Sequence, residues 1–476
     1  FSLIFYRIFC YMFIRINKIE LVDTKKEKIE LSKKVFLLMV VMMVGCWGIY
    51  FLRYYPAILT PDSHYVIHYS EFKIFSDHHT FVHTWFFALF FYIGKFIFSS
   101  KIMGIAFYTI IQMVLLATIF NIGINYFYKN GLKKIYCIIL WLIFAFSPLH
   151  GHYSVTLWRD ILFSASFLLI IISIYECIIN KCCVKFKYLL YFIIGCFIMI
   201  FFRNNGIYIY LFMLPFLFIF CYNKKKRMRV IYLSILIIYF VIKGPVFDLL
   251  NVERSKTVEA YSIPLQQISR VVYSDEKLDK STINKLEKYM DVSKIKNNYK
   301  SYISDPIKGI TNSDNLSKDS LGFLKVWVSI LFKYPDTYIE AYLSQTLGYW
   351  YPSVDYWAVG TQIKSINGWE TVNCHSLLNN NMTNFVDNLK NNKLPFGFFI
   401  WSIGLNVMII LFSSFILLYN REYKKLLVFV PLYALWLSIM VASPVFSELR
   451  YVYALFICAP FCLIISFINN NKRKSS

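Results

Sequence analysis

A few acids, a run of imidazoles and several isolated arginines stand out from an otherwise apolar chain. Asp62 follows Thr60-Pro61 and precedes Ser63-His64, and the same loop continues to Asp77-His78-His79-Thr80-Phe81-Val82-His83. An acid followed by clustered imidazoles is suited to taking a proton from a hydroxyl, or to holding a phosphate or a metal. Further on come Trp158-Arg159-Asp160, Arg203-Asn204-Asn205-Gly206, Lys243, Gln266 and Arg270 within Ile263-Pro264-Leu265-Gln266-Gln267-Ile268-Ser269-Arg270, and Glu448-Leu449-Arg450-Tyr451. A guanidinium at a helix boundary can grip a phosphate with two parallel hydrogen bonds.

Each of these has a plainer alternative. Thr60-Pro61-Asp62 has the form of a helix N-terminus, a capping residue followed by an early Pro. Trp and Arg at a span mouth also serve as headgroup anchors. His79 and His83, spaced i,i+4, would share a helix face and could bind zinc, but no third ligand or HExxH pattern accompanies them. Arg159 and Asp160 are adjacent, so on a helix they aim at different partners. Glu448 and Arg450 splay apart unless a helix begins between them.

The elements that must position these residues follow from hydropathy. The chain is 58% hydrophobic in runs that repeat down its length, which makes it a polytopic membrane protein and excludes a soluble domain. The expected class is an all-α polytopic membrane protein. About ten spans are expected, over 35–52, 103–125, 135–148, 161–179, 188–202, 206–222, 230–246, 396–419, 426–442 and 450–468. The stretch from His83 to Phe98 is read as an interfacial or re-entrant helix, because counting it as a span would invert the charge pattern downstream.

Basic clusters then fall on one side: Lys25, Lys26, Lys28, Lys33 and Lys34; Lys129, Lys133 and Lys134; Lys181, Lys185 and Lys187; Lys224, Lys225, Lys226, Arg227 and Arg229; Arg421, Lys424 and Lys425; Lys472, Arg473 and Lys474. This side is expected to be cytoplasmic. Every histidine and the chemistry-bearing residues above fall on the other.

The organisation is a cytoplasmic or interfacial segment over 1–34 that reads as truncated, since Phe1 to Ile16 is apolar and no Met opens the chain. Next come a transmembrane region over 35–246 with a first outer loop at 53–102, an outer cap over 247–395, C-terminal spans over 396–469 and a tail at 470–476. The cap's Lys325 to Tyr351 stretch predicts two aromatic-rich helices against the outer membrane surface.

Net charge is +23; it resides mainly in the inner loops, where anionic lipid is the partner, and implies no nucleic acid. Cys374 alone would lie outside, so no disulfide framework is expected. The Asn381-Met382-Thr383 sequon reads as accidental in a chain of bacterial composition. No Rossmann fingerprint, P-loop or nucleophile elbow is present. Charged residues are nearly absent from the middle of the spans, unlike a proton- or ion-coupled transporter.

The order of these motifs, from Thr60-Pro61-Asp62-Ser63 through Asp77, His79 and His83, Trp158-Arg159-Asp160, Arg203-Asn204 and Pro264-Leu265-Gln266-Gln267 to Glu448-Leu449-Arg450-Tyr451, resembles uncharacterised multi-spanning proteins of low-GC Gram-positive bacteria. These look like members of the GT-C glycosyltransferase superfamily. The resemblance covers about 35–468 and departs at Thr80, where the pattern has Pro.

It implies an enzyme of the bacterial plasma membrane that moves a sugar from a polyprenyl-phosphate or polyprenyl-diphosphate carrier to a cell-envelope glycan acceptor outside the cytoplasm. An acid in the first outer loop is then the catalytic base or acceptor orienter, which maps onto Asp62. With it go His79, His83, Asp160 and Glu448 as catalytic residues, and Arg159, Arg203, Asn204, Lys243, Gln266, Arg270, Arg450 and Tyr451 as binders of lipid phosphate and sugar.

No cofactor is required and no dedicated metal ligands are expected, although a divalent cation could sit among Asp62, Asp160 and Glu448 if the fold gathers them. A flippase or exporter of lipid-linked saccharide, and a non-catalytic envelope scaffold, are the competing classes.

Overall fold

The computed structural model describes residues 30–221, 226–254, 257–352 and 397–468, together with 7, 11, 21, 365–366 and 369–370. Most of Phe1 to Ile16, the basic residues Lys25, Lys26, Lys28, Lys224, Lys225, Lys472, Arg473 and Lys474, Cys374 and the Asn381 sequon lie outside the described residues, as does most of the cap beyond Pro352.

Apart from a short antiparallel pair, Ser365–Ile366 with Trp369–Glu370, the described chain is built of helices and their connections. Helix α1 (Lys33–Arg53) opens at Ser32, whose hydroxyl accepts from the Val35 amide at 3.3 Å. A loop leads to α2 (Pro61–Phe72), α3 (Phe81–Phe98) and the long α4 (Lys101–Lys129). Helix α5 (Lys134–Phe146) bends by 55° onto the short α6 (Pro148–Ser154). Then come α7 (Arg159–Ile179), α8 (Phe186–Phe202), α9 (Gly206–Cys221) and α10 (Lys226–Val241), the last extended to Leu249 through a π-helical turn at Ile242–Val246.

The cap contributes α11 (Ser262–Tyr273), α12 (Lys280–Glu287), α13 (Ser320–Lys333) and α14 (Pro335–Thr346). After it come α15 (Ile403–Tyr419), α16 (Val430–Ala442) and α17 (Tyr453–Phe467).

The protein is a helical membrane protein, and the ten stretches expected to span are largely helical where they are described. Among the described residues six helices are long and apolar enough to cross a membrane: α1, α3, α4, α7, α10 with its extension, and Leu449–Phe467; the bent α5–α6 pair would be a seventh. Helices α8, α9, α15 and α16 are apolar but shorter. Helix α3, expected to be interfacial or re-entrant, is one unbroken 18-residue helix, Phe81–Phe98, that meets the length and hydropathy of a span.

Helix α7 organises the bundle. It is largely apolar, and every residue from Asp160 to Cys177 is buried, as befits a helix enclosed by others. Helices α4, α8 and α17 pack directly on it, so the first turn of α7, with Arg159 and Asp160, is held at the centre of one rim of the bundle. The cap sits over that rim with a core of its own, built from Leu265, Ile268, Leu286, Phe323, Ile330 and Tyr338. The two aromatic-rich helices expected between Lys325 and Tyr351 are α13 and α14.

A strap, Ser443 to Glu448, joins α16 to α17 and is gripped from the cap side. Ser304 donates its amide to Pro444 O at 2.9 Å, Phe446 donates its amide to Tyr302 O at 2.9 Å, and Gln345 Nε2 donates to Ser443 O at 2.6 Å. Gly348 lies so close that a Cβ there would meet Ser447 Cβ at 2.3 Å and Phe446 O at 2.5 Å. The cap thereby fixes the backbone that carries Glu448 and Arg450.

Candidate functional site

The site forms where the first turn of α2, the loop before α3, the first turn of α7, the end of α8 and the strap meet. Asp62 occupies the first turn of α2. That helix starts at Thr60, whose amide donates to Ser63 Oγ at 3.0 Å, and Ser63 Oγ in turn donates to Leu157 O at 2.9 Å. Trp158 Nε1 donates to Thr60 Oγ1 at 2.7 Å. The capping reading of Thr60-Pro61-Asp62 therefore holds, and the cap serves to fix Asp62 against the Trp158-Arg159-Asp160 segment.

Two ion pairs lie side by side. Arg450 Nη1 is 2.5 Å from Asp62 Oδ2, and Arg203 Nη1 is 2.5 Å from Asp160 Oδ1. The Tyr451 ring joins them, with the Arg203 guanidinium 4.4 Å and that of Arg450 5.0 Å from its centroid. Trp158 backs Arg450 at 5.0 Å. Such contacts hold a guanidinium flat and leave its edge for planar oxyanions.

Glu448 completes the group, with Oε1 3.4 Å from Arg450 Nε. A 3-10 turn, Leu449–Val452, begins directly after Glu448, which is the condition under which an i,i+2 pair converges. Arg159 and Asp160 diverge as adjacency requires. Asp160 turns to Arg203, whereas Arg159 Nη1 donates to His78 O at 2.8 Å. Among the described residues Arg159 forms no ion pair with a carboxylate, and its Nε is buried without a hydrogen-bond partner.

A second polar knot adjoins the first. Lys243 Nζ lies 2.5 Å from Asp77 Oδ2 and 3.0 Å from Asn204 Oδ1, and Asn204 Nδ2 donates to Asp77 O at 2.9 Å. It ties the loop before α3 to the ends of α8 and α10. Gly206 is needed here, since a Cβ would stand 1.8 Å from Met199 O.

The loop's Thr80 has φ 53°, a region closed to proline, whose ring fixes φ near −65°. The Thr80 hydroxyl donates to Phe202 O at 3.0 Å and accounts for the departure from Pro at this position.

Burial and charge divide the titratable groups. Burial alone would raise the Asp62 carboxyl, but Arg450, with Arg159 and His79 beyond it, outweighs burial and holds Asp62 well below the usual carboxylate range. Burial pushes Glu448 up to about 7, Asp160 and Asp62 adding to the rise against Arg450 and Arg203. Burial and then Arg159 push His79 down to about 3 despite Asp62, so its imidazole is neutral. Its ring stacks on Tyr65 at 4.8 Å, and neither ring nitrogen has a hydrogen-bond partner.

Of the residues singled out in the sequence, Asp62, His79, Arg159, Asp160, Arg203, Glu448, Arg450 and Tyr451 come together, with Asn204 and Lys243 alongside. His83 lies beneath the site, fully buried, its Nε2 3.2 Å from Tyr108 OH. Helix α3 starts only at Phe81, so His79 and His83 share no helix face.

Gln266 and Arg270 belong to the cap. Gln266 Nε2 donates to Lys300 O and Ile303 O at 2.7 and 3.2 Å, and Arg270 pairs with Glu340. Asp62, Asp160 and Glu448 are each engaged by arginine, and among the described residues no three His, Cys, Asp or Glu side chains gather to hold a metal ion.

Asp77 and Trp158 stand in the sequence motifs without a role of their own, and Tyr349 lies outside those motifs. Asp77 stood within the His motif and Trp158 beside Arg159, so adjacency alone could have flagged them. Tyr349 gave no local signal. Its hydroxyl, fully buried, donates to Val445 O at 2.9 Å and accepts the Glu448 amide at 3.1 Å. Tyr349→Phe leaves the Glu448 amide without this partner in a dry site, while Val445 O keeps the Ser443 hydroxyl at 2.8 Å, at a cost of about 1–3 kcal/mol. It is expected to lower the thermal midpoint of the detergent-solubilised protein, followed by intrinsic fluorescence.

A family model described as a family of unknown function (DUF6020) matches residues 49–476. The chain belongs to DUF6020. The matched region takes in every group of the site, from Asp62 to Tyr451. No curated protein and no solved structure matches the DUF6020 chain.

With Glu448 protonated, the DUF6020 site sets three guanidinium groups, Arg159, Arg203 and Arg450, against two carboxylates, Asp62 and Asp160. It therefore favours an anion of one net charge. Ionisation of Glu448 as pH rises through about 7 cancels that excess. A unit charge several ångströms away at an effective dielectric of ~20 is worth about 2 kcal/mol, reduced by screening.

A phosphodiester ligand, whose own charge is constant over this range, is therefore expected to bind about tenfold more weakly at pH 8 than at pH 6. Glu448→Gln should bind it equally at both, as read by tryptophan quenching; a pH dependence that survives in this variant would remove Glu448 from the explanation.

Proposed function

We propose that this protein is a membrane glycosyltransferase of GT-C type. It takes a sugar from a polyprenyl-phosphate-linked donor and places it on a cell-envelope glycan acceptor at the outer face of a bacterial plasma membrane. The observation that carries the reading is the convergence on the cap-side rim of Asp62 with three arginines, one of which, Arg159, forms no ion pair with a carboxylate among the described residues. Such a site at the end of a bundle of membrane-length helices suits a ligand whose phosphate rides at headgroup level.

In this scheme the acceptor hydroxyl oxygen forms a bond to the sugar C1 while the bond from C1 to the carrier phosphate oxygen breaks. Asp62 orients that hydroxyl and takes its proton. The electron pair leaves with the lipid phosphate, whose growing charge is met by Arg159, Arg203 and Arg450.

Once the donor phosphate engages Arg450, part of the charge that depresses Asp62 is withdrawn, so the carboxylate becomes a better base only in the loaded site. Asp160 holds Arg203 in place, and the neutral His79, with unpartnered nitrogens, offers a hydrogen bond to donor or acceptor. No step calls for a metal or cofactor.

The test is transfer of radiolabelled sugar from a panel of polyprenyl-phosphate donors by the purified, reconstituted protein. Turnover with at least one donor is expected. Movement of lipid-linked saccharide between leaflets without any transfer would overturn the enzyme reading and favour a flippase.

A further inference from the structure

An apolar groove of about 1010 Å³ runs between the C-terminal half of α2 and the length of α3, at the upper end of the ~300–1,000 Å³ usual for ligand sites. Its walls include Tyr69, Phe75, Trp85, Phe86, Tyr92 and Phe96, and among its lining residues only Lys73 is charged. Tyr92 OH is satisfied by Ser70 O at 2.9 Å.

Three observations limit what can lie there. Helix α3 has the length and hydropathy of a membrane helix, and Trp85, Leu89 and Phe96 stand exposed along it. The groove therefore opens toward hydrocarbon, where a soluble ligand or a peptide would strand its polar groups. Its inner end abuts the site: the Tyr69 ring meets His79 edge-on at 5.8 Å, and His79 lies within electrostatic reach of Arg159 and Asp62. Lys73, at the rim, supplies a positive charge beside the apolar channel.

We propose that this groove seats the phosphate-proximal isoprene units of the polyprenyl donor, leading its phosphate past His79 to Arg159. The inference rests on the donor class proposed above. Bulk lipid is as apolar as the groove, so seating a chain gains little from the hydrophobic effect and depends on fit. The aromatic walls supply that fit for the flat, methyl-branched alkenes of an isoprenoid, which lie against rings as a flexible saturated acyl chain does not.

The experiment uses the full chain in phosphatidylcholine nanodiscs with a polyprenyl phosphate carrying a diazirine near the phosphate end of its chain. Cross-links are expected in α2 and α3 by mass spectrometry. Ala88→Trp, which fills the groove away from the arginine cluster, should reduce labelling at least tenfold while isopentenyl phosphate binding stays unchanged. Leu89→Trp repeats the test if the first variant is not monodisperse.

Cross-links elsewhere, or equal groove labelling by a diazirine-bearing phosphatidic acid, overturn the proposal. The two readings fail separately. Polyprenyl labelling in the groove without sugar transfer upholds the groove and sinks the transferase, whereas undiminished transfer by Ala88→Trp sinks the groove and leaves the transferase standing.

Discussion

Arg450→Ala is expected to reduce sugar transfer by about 10²–10³-fold, the usual consequence of deleting a group that stabilises transition-state charge. Arg450 meets Asp62 at 2.5 Å, Glu448 at 3.4 Å and the rings of Trp158 and Tyr451, each at 5.0 Å. Truncation also leaves two carboxylates facing one another. Breaking a fully buried pair costs about 3–5 kcal/mol; the Asp62 side chain keeps 30% of its exposure, which moves the cost toward about 2 kcal/mol.

Arg450→Lys separates stability from chemistry. It keeps the charge, so the thermal midpoint should hold, but a point charge on a flexible stem cannot bridge two carboxylates while lying flat on Trp158. Transfer should still fall about a hundredfold. If the lysine variant turned over like wild type, Arg450 would act as a charge alone.

Asp62→Ala is expected to lower kcat by about 10²–10⁴-fold, the range for loss of a positioned acid or base, while donor binding tightens several-fold. The opposite signs follow from the geometry. In the proposed scheme Asp62 faces the acceptor, yet it also pairs with Arg450, so its removal would free a guanidinium for the donor phosphate. Titrating a phosphodiester donor analogue alongside steady-state kinetics checks both. A parallel loss of donor affinity and kcat would mean that Asp62 does no more than hold Arg450 in place.

Local pattern was a good guide wherever a feature depends on near neighbours. The helices follow the apolar runs, α2 begins where Thr60-Pro61 marks it, and the divergence of Arg159 from Asp160 follows from adjacency. The convergence of Glu448 with Arg450 hinged on where a helix starts, and the 3-10 turn at Leu449 decides it. What local pattern lacked was pairing across the chain.

Nothing near Asp77 names Lys243 as its partner, and nothing near Tyr349 reveals that its hydroxyl braces the Glu448 amide. Gln266 and Arg270 illustrate the reverse. Their polarity suggested ligand contact, but Gln266 supports the cap turn at Lys300 and Ile303, and Ile303 pairs with Val445 in the strap. At helix α3 two sequence signals point in opposite directions. Charge sidedness opposed a crossing there, whereas length and hydropathy permit one.

The order in which the chain supplies these groups matters during its synthesis. Asp160 and Arg203 are 43 residues apart, and Asp62 and Arg450 are 388 apart. The first pair can close as soon as α7 and α8 are inserted, but Asp62 lacks its ion-pair partner until the strap and α17 follow. The site is thus assembled late, when the strap and α17 bring Glu448 and Arg450 to groups laid down hundreds of residues earlier.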